Sequence, residues 1–194
     1  YDLARLFRKE VVVSNLASWV FHVTPFVCFL AMLNVCVLVP VLYVNTPLSF
    51  TGDIIALVYL LALARFFMAL AALDTGSAFG GMAASREMAI SSIAEPAMMI
   101  AIFTIALTAG STSLDTIVTR VQNLGVEALS PTHIFAFGAL FIVALAETGR
   151  MPIDNPATHL ELTMIHEGMI LEYSGRYLAL MEWSASIKLL VFLT

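Results

Sequence analysis

Charge is scarce in this chain. Of 194 residues, Asp, Glu, Lys and Arg together make up 12%, hydrophobic residues make up 60%, and the mean hydropathy is +0.94. A soluble domain needs a largely polar exterior, so that class is excluded and an integral membrane protein is implied. No basic patch of useful size shows in the sequence and the net charge is -5, which argues against nucleic acid as a partner. The two cysteines, Cys28 and Cys36, lie eight residues apart in one apolar segment. That is roughly 12 Å along a helix, too far for a disulfide, so they read as packing residues and carry no information on redox compartment. An initiator Met and a signal-peptide layout are also missing, and the chain stops inside the apolar run KLLVFLT. The expectation is therefore a fragment of a longer protein. Neither an internal repeat nor a low-complexity tract is present.

What is there is long apolar runs. A membrane span needs about 20 predominantly apolar residues. Segments near 18–44, 53–73 and 87–109 qualify, 132–147 is short, and a further run begins near 178. Continuous runs of this kind suit helices rather than barrel strands, which alternate in pieces of about ten residues. The predicted fold is an all-α, polytopic transmembrane helix bundle of about five spans, forming one membrane domain over 1–194. Arg5, Arg8, Lys9, Arg86, Arg150 and Arg176 fall on one set of alternate connections and Arg120 alone on the other. That bias predicts a cytoplasmic N-terminal segment and a cytoplasmic polar loop over 147–177. In YDLARLFRKE, Leu3, Leu6 and Phe7 share a helical face opposite the basic residues, as in a helix anchored at the headgroups.

Ionisable groups inside the spans are the next signal. Arg65 in the second span and Glu95 in the third each lie eight residues, roughly 12 Å, from the ends at 73 and 87, so an antiparallel hairpin brings them level as partners. A lone charge at mid-bilayer costs about 2.5–3.5 kcal/mol even on the lenient insertion scale. Pro96 removes a helical N–H beside Ser91 and Ser92, which favours a polar, hydrated notch. A static ion pair holding two helices in register is the alternative. In the last run Glu182 and Lys188 are six residues apart and point about 120° away from each other, so Lys188 is expected to pair elsewhere, a portion outside this chain being one candidate.

The segment 147–177 gathers Glu147, Arg150, Asp154, His159, Glu161, His166, Glu167 and Glu172. Asn155–Pro156 reads as a helix start and Gly175 as a stop, predicting an amphipathic helix of about 18 residues. On that helix His159, Thr163, His166 and Glu167 share one sector, and Glu161 and Glu172 the opposite one. Carboxylates this close in a poorly hydrated place suit proton exchange. A charged surface that docks a soluble subunit is the competing reading. Metal binding is not expected, because no HExxH or comparable spacing is present. Gly76, Gly80 and Gly81 in the predicted 74–87 connection permit close backbone approach or positive φ, with Asp74 capping the turn; no Walker pattern is present.

Two stretches carry a resemblance. Glu147-Thr148-Gly149-Arg150-Met151-Pro152-Ile153-Asp154, with the later Glu172-Tyr173-Ser174-Gly175, resembles the signature E-T-N-R-x-P-F-D … E-Y-S-G of the quinone-site membrane subunit of respiratory complex I. Ile153 and Asn155 replace the usual Phe and Leu, and the stretch from Asp154 to Glu172 is three residues longer. NPATHLELTMIHEGMILEYSG, ALDTGSAFGGMAASRE at 72–87 and AEP at 94–96 are more similar to the related subunit of energy-converting nickel-iron hydrogenases, the hydrogenase-4 and formate hydrogenlyase family. That resemblance implies about eight spans, the first and the last two or so lying outside this chain, and a place in the inner membrane.

The resemblance further implies a subunit with no redox centre or other cofactor of its own. It would dock hydrogenase large and small subunits and an iron-sulfur subunit, which hold the nickel-iron site and the iron-sulfur clusters. It would also join antiporter-like membrane subunits that move protons or sodium. By the same resemblance Glu147, Arg150, Asp154, Glu161, Glu167 and Glu172 belong to the charged cytoplasmic loop and Glu95 to an acidic membrane path. Asp74 and Arg86, with Glu87 beside them, face the peripheral arm. Arg65, Glu182, Lys188, His159 and His166 join the coupling set by position. Two other readings remain: the quinone-site subunit of an NADH:quinone oxidoreductase, and a passive membrane anchor.

Overall fold

The computed structural model describes residues 2–14, 17–39, 53–124, 130–151, 153–154 and 164–193. Among these there is no strand, and eight helices follow in order: α1 (Asp2–Arg8), α2 (Trp19–Leu38), α3 (Asp53–Asp74), α4 (Ala78–Ala109), α5 (Leu114–Leu124), α6 (Pro131–Glu147), α7 (Ile165–Ile170) and α8 (Gly175–Leu193). Three of them, α2, α3 and α4, are long and apolar enough to cross a membrane, and α6, at 17 residues, is a shorter apolar helix. The fold is thus a helix bundle built for lipid, as the apolar runs predict.

Burial follows the helical period. On α2, Phe21, Thr24, Pro25, Cys28, Ala31, Met32, Val35 and Leu38 face inward, whereas Val23, Phe26, Leu30, Leu33 and Val37 are exposed. Both faces are apolar, which suits a helix packed on one side and bathed in hydrocarbon on the other. Helix α2 lies against α3 and α8, and α4 lies against α3, α6 and α7. Polar side chains tie α2 to α3. Thr24 Oγ1 donates to the Val20 carbonyl and to Phe67 O of α3, and Cys28 Sγ lies 3.4 Å from Ala64 O. The cysteines are free, as expected.

Several boundaries differ from the sequence expectation. The connection between α3 and α4 is only residues 75–77, so Gly80, Gly81, Arg86 and Glu87 lie in α4 rather than in a loop. The Ser77 side chain accepts from Gly80 N, and Gly76 takes φ +66. A Cβ on Gly80 would stand 2.6 Å from Ala72 O, so the glycine lets α4 begin in direct contact with α3. Ala69, Ala72, Ala83 and Ala84 continue that contact, with Ile165 and Met169 of α7 seated on it. Small side chains bring membrane helices close, and that packing overrides the loop-forming tendency of glycine.

The expected 18-residue helix ending at Gly175 is not formed as drawn. Its first part, residues 155–163, and with it His159 and Glu161, lies outside the described residues. Beyond that, Met164 is extended (φ -63, ψ 147), α7 covers only six residues, and Gly175, at φ +53, opens α8 instead of ending a helix. Helix α5 has no counterpart in the sequence expectation. Its Leu114, Ile117 and Val121 pack toward Ala106 and Ala109 of α4, while Arg120, Gln122 and Asn123 face outward. Eleven residues are too few to register as an apolar run.

Candidate functional site: a buried ion chain beside a cavity

Helix α6 ends in a way that fixes its last carboxylate. Gly149, at φ +58, donates its N–H to Ala146 O, and Arg150 N donates to Leu145 O, the double closure of a Schellman motif. Glycine stands here where the complex I signature has Asn, and both residues enter the left-handed region readily. Glu147 is therefore the final helical residue, with its side chain 1% exposed, rather than part of the solvated loop that the sequence suggests.

Around Glu147 five charged side chains from four helices form one chain of ion pairs. Arg65 of α3 gives one nitrogen to each of three carboxylates. Its Nη1 is 2.7 Å from Glu95 Oε1, its Nε is 3.3 Å from Glu87 Oε1, and its Nη2 donates to Glu147 Oε1. The second oxygen of Glu147 takes Lys188 Nζ of α8 at 2.8 Å. The expected Arg65–Glu95 pair is present. Lys188 pairs elsewhere than Glu182, as expected, and its partner Glu147 lies in this chain; one expectation is corrected, since Glu87 belongs to the buried chain rather than to an outward docking surface. An arginine that is 3% exposed is held in place only with such partners, because an unpaired buried charge costs several kcal/mol.

This ion chain borders a partly open cavity of about 300 Å³ lined by residues of α2, α3, α4, α7 and α8 and by residues 146–150, 153 and 154. Arg65, Glu87, Glu147, Arg150, Asp154, His166, Glu167, Glu182 and Lys188 line it, and Met32, Met68, Met164, Met169 and Met181 supply the apolar wall. At about 30 Å³ per molecule the space takes on the order of ten waters. Asp154, 2% exposed, accepts from Ile165 N at 2.9 Å through Oδ2, satisfying a first-turn donor of α7. Its Oδ1 and Nε2 of His166 are buried without a hydrogen-bond partner among the described residues. Burial, reinforced by Lys188 and Arg150 and opposed by Asp154, pushes the His166 imidazole down to about 4, so it is neutral at pH 7.

The remaining predicted residues are more dispersed. Glu182 borders the cavity from α8. Glu172 is exposed in the turn between α7 and α8 and does not line the cavity; Arg86 is exposed on α4. Asp74 ends α3 and accepts from Ser18 N at 2.8 Å, holding the entry to α2 rather than capping its own turn. No cluster of three metal-ligating side chains occurs among the described residues.

The E-Y-S-G stretch has a physical role that its sequence does not advertise. Ser174 Oγ accepts from Val12 N at 2.8 Å and donates to Val12 O at 2.9 Å. A Cβ on Gly175 would stand 2.5 Å from Glu10 O and 2.8 Å from Lys9 O. Tyr173 donates its hydroxyl to Phe21 O at 3.0 Å. Three consecutive residues thus tie the start of α8 to the N-terminal segment, through Ser174 and Gly175, and to α2, through Tyr173.

A family model described as NADH dehydrogenase matches residues 1–194. Formate hydrogenlyase subunit 4 of Escherichia coli (strain K12) is 36% identical over 192 residues, covering 99% of this chain and 61% of that protein. Hydrogenase-4 component C of the same strain is 36% identical over 191 residues, covering 98% and 59%. A subunit of the NADH-quinone oxidoreductase of Syntrophotalea carbinolica is 30% identical over 184 residues, covering 90% and 54%. In fold, the chain is similar to one in the membrane-bound sulfane sulfur reductase, an archaeal respiratory membrane complex. The TM-score is 0.82 at 19% identity, covering 98% of this chain and 62% of that one. The chain spans about three fifths of the length of the first two curated relatives. Matched by the family model from its first residue to its last, the chain belongs to the NADH dehydrogenase family, as a subunit 1-like member homologous to formate hydrogenlyase subunit 4 and hydrogenase-4 component C.

Proposed function

We propose that this chain is the membrane-anchoring, energy-coupling subunit of a complex I-like hydrogenase complex in the inner membrane. It docks a peripheral arm that carries iron-sulfur clusters and a nickel-iron site, and links electron transfer there to movement of protons or sodium through antiporter-like neighbours. The observation that carries the reading is the continuous ion chain Lys188–Glu147–Arg65–Glu95/Glu87 beside a cavity that also holds Arg150, Asp154 and His166. Three carboxylates face two cations across four helices, so a change of charge at the cavity alters which pairs are satisfied in the interior. The 147–177 segment and the N-terminal segment lie on the cytoplasmic side in this reading, as the distribution of Arg and Lys favours.

The test is hydrogenase-linked ion transport in membrane vesicles. Glu147→Gln and Arg150→Ala each leave the complex assembled, as judged by co-purification, and reduce transport per turnover at least about tenfold, the scale of a lost interaction worth about 1.4 kcal/mol. Unchanged transport in either variant overturns the coupling role. A second reading, a quinone-reducing NADH dehydrogenase subunit, is favoured by the methionine-walled cavity, whose volume of about 300 Å³ is of the size that takes small ligands. NADH-driven quinone reduction by the purified complex would select it. If every charge is structural, Glu95→Gln changes the yield of complex and not its turnover.

A further inference from the structure

Two populations of cations occur in this protein. Arg65 and Lys188 are buried and paired. Arg5, Arg8 and Lys9, on and just after α1, and Arg176, in the first turn of α8, are exposed and have no carboxylate within ion-pair reach among the described residues. They converge, because α1 packs on α8 and the carbonyls of Lys9 and Glu10 pass directly over Gly175. Glu10 and Glu172 are exposed carboxylates in these stretches and Asp2 opens α1, which leaves the group of four cations in excess by one charge.

One face of α8 is ordered along its axis. Arg176, Trp183 and Leu190 are seven residues apart, so each lies within about 20° of the one before it and roughly 10 Å further along the helix. All three are exposed, Trp183 at 42% and Leu190 at 49%. Cation, indole and aliphatic side chain in that sequence reproduce the layers of a leaflet: headgroup, interface and hydrocarbon. Phe7 of α1 meets Trp183 edge-on at 6.3 Å between ring centroids, which fixes α1 at the interfacial level with its basic residues outward.

We propose that α1 and the start of α8 together form a binding site for the headgroup of an anionic phospholipid, with Arg5, Arg8, Lys9 and Arg176 holding the phosphate and the Phe7–Trp183 pair flanking the upper acyl chain. The apolar continuation below Trp183 selects lipid over a soluble anion or an acidic protein surface, since neither would use it. The site is separate from the buried ion chain and stands whether or not the coupling role does.

The test uses the protein purified in detergent, with phosphatidylglycerol or phosphatidylcholine of identical acyl chains added, retained lipid being measured by native mass spectrometry. Phosphatidylglycerol binds at least about tenfold more tightly, the advantage shrinks with salt, and R5Q/R8Q/K9Q/R176Q removes it. The charge-conserving set R5K/R8K/K9R/R176K retains it, and W183A weakens retention of both lipids. Equal retention of the two lipids, or a preference that survives loss of the four charges, overturns the proposal. So does full competition by inorganic phosphate, which would indicate a free-anion site. Loss of a co-purifying soluble subunit from the quadruple variant with its lipid preference intact would assign the surface to a protein partner instead.

Discussion

Tyr173 lies flat on Phe21, with ring centroids 4.1 Å apart and planes 7° from parallel, and donates its hydroxyl to the carbonyl of that same residue. The carbonyl is available because Pro25, four residues further along α2, has no N–H to offer it. A side chain from the α7–α8 connection thus closes a gap that proline opens in a membrane helix.

Tyr173→Phe keeps the stack and removes the hydroxyl, and lowers stability by about 1 kcal/mol. In a Pro25→Ala background, where the alanine N–H can supply the missing helical bond, the same change costs much less. A double-mutant cycle on thermal or denaturant unfolding in detergent measures the difference; additive effects would show that the two features are independent.

Gly175→Ala places a methyl group against the carbonyls of Glu10 and Lys9 at a positive φ. The cost is about 2 kcal/mol or more, and protease cleavage within residues 9–14 accelerates as the strap lifts. Gly81→Ala, where nothing lies within 4 Å of the added carbon, is the control, with stability equal to or slightly above that of the unaltered chain.

Arg65→Leu leaves Glu87, Glu95 and Glu147 with Lys188 as their sole cation in the ion chain. The expected loss is about 3–5 kcal/mol, seen as reduced yield and a lower melting temperature in detergent. Arg65→Lys rescues only part of it, because one ammonium cannot hold three carboxylates on two helices in the planar geometry of a guanidinium.

His166 titrates from 6.5 in the unfolded chain to about 4 in the fold. Below pH 6.5 the unfolded state takes up a proton that the folded state refuses, so this residue's contribution to stability falls as the pH drops from 6.5 to about 4 and is flat above 6.5. The melting temperature of His166→Gln should therefore decline less between about pH 7 and pH 5 than that of the unaltered protein. Parallel declines would refute the assignment.

Much of this is legible without coordinates. The apolar runs mark α2, α3, α4, α6 and α8 because lipid imposes a length and a composition that few other settings do. The Arg65–Glu95 pair follows from equal depth in an antiparallel hairpin, a local argument. The partner of Lys188 does not, because Glu147 stands far away in sequence at the end of another helix, and side-chain direction within α8 carries no information on what α6 presents. Glu87 misleads for a different reason. Glycines at 76, 80 and 81 suggest a loop, but close helix packing uses glycine as well, and only the contact of Gly80 with Ala72 distinguishes the two uses. The strap made by Tyr173, Ser174 and Gly175 joins residues at opposite ends of the chain, beyond the reach of any periodicity.

The shortness of α6 has a consequence for where water can stand. Seventeen residues rise roughly 25 Å, less than the 30 Å or so of a typical hydrocarbon layer, whereas its neighbour α4 extends for about 48 Å. A helix of that length falls short of the hydrocarbon layer by about 5 Å, and thinning of the lipid or a polar turn at 148–150 set below the headgroups makes up the difference. In the second case Arg65, bound to Glu147 at the end of α6, stands nearer to water than its place in the middle of α3 implies.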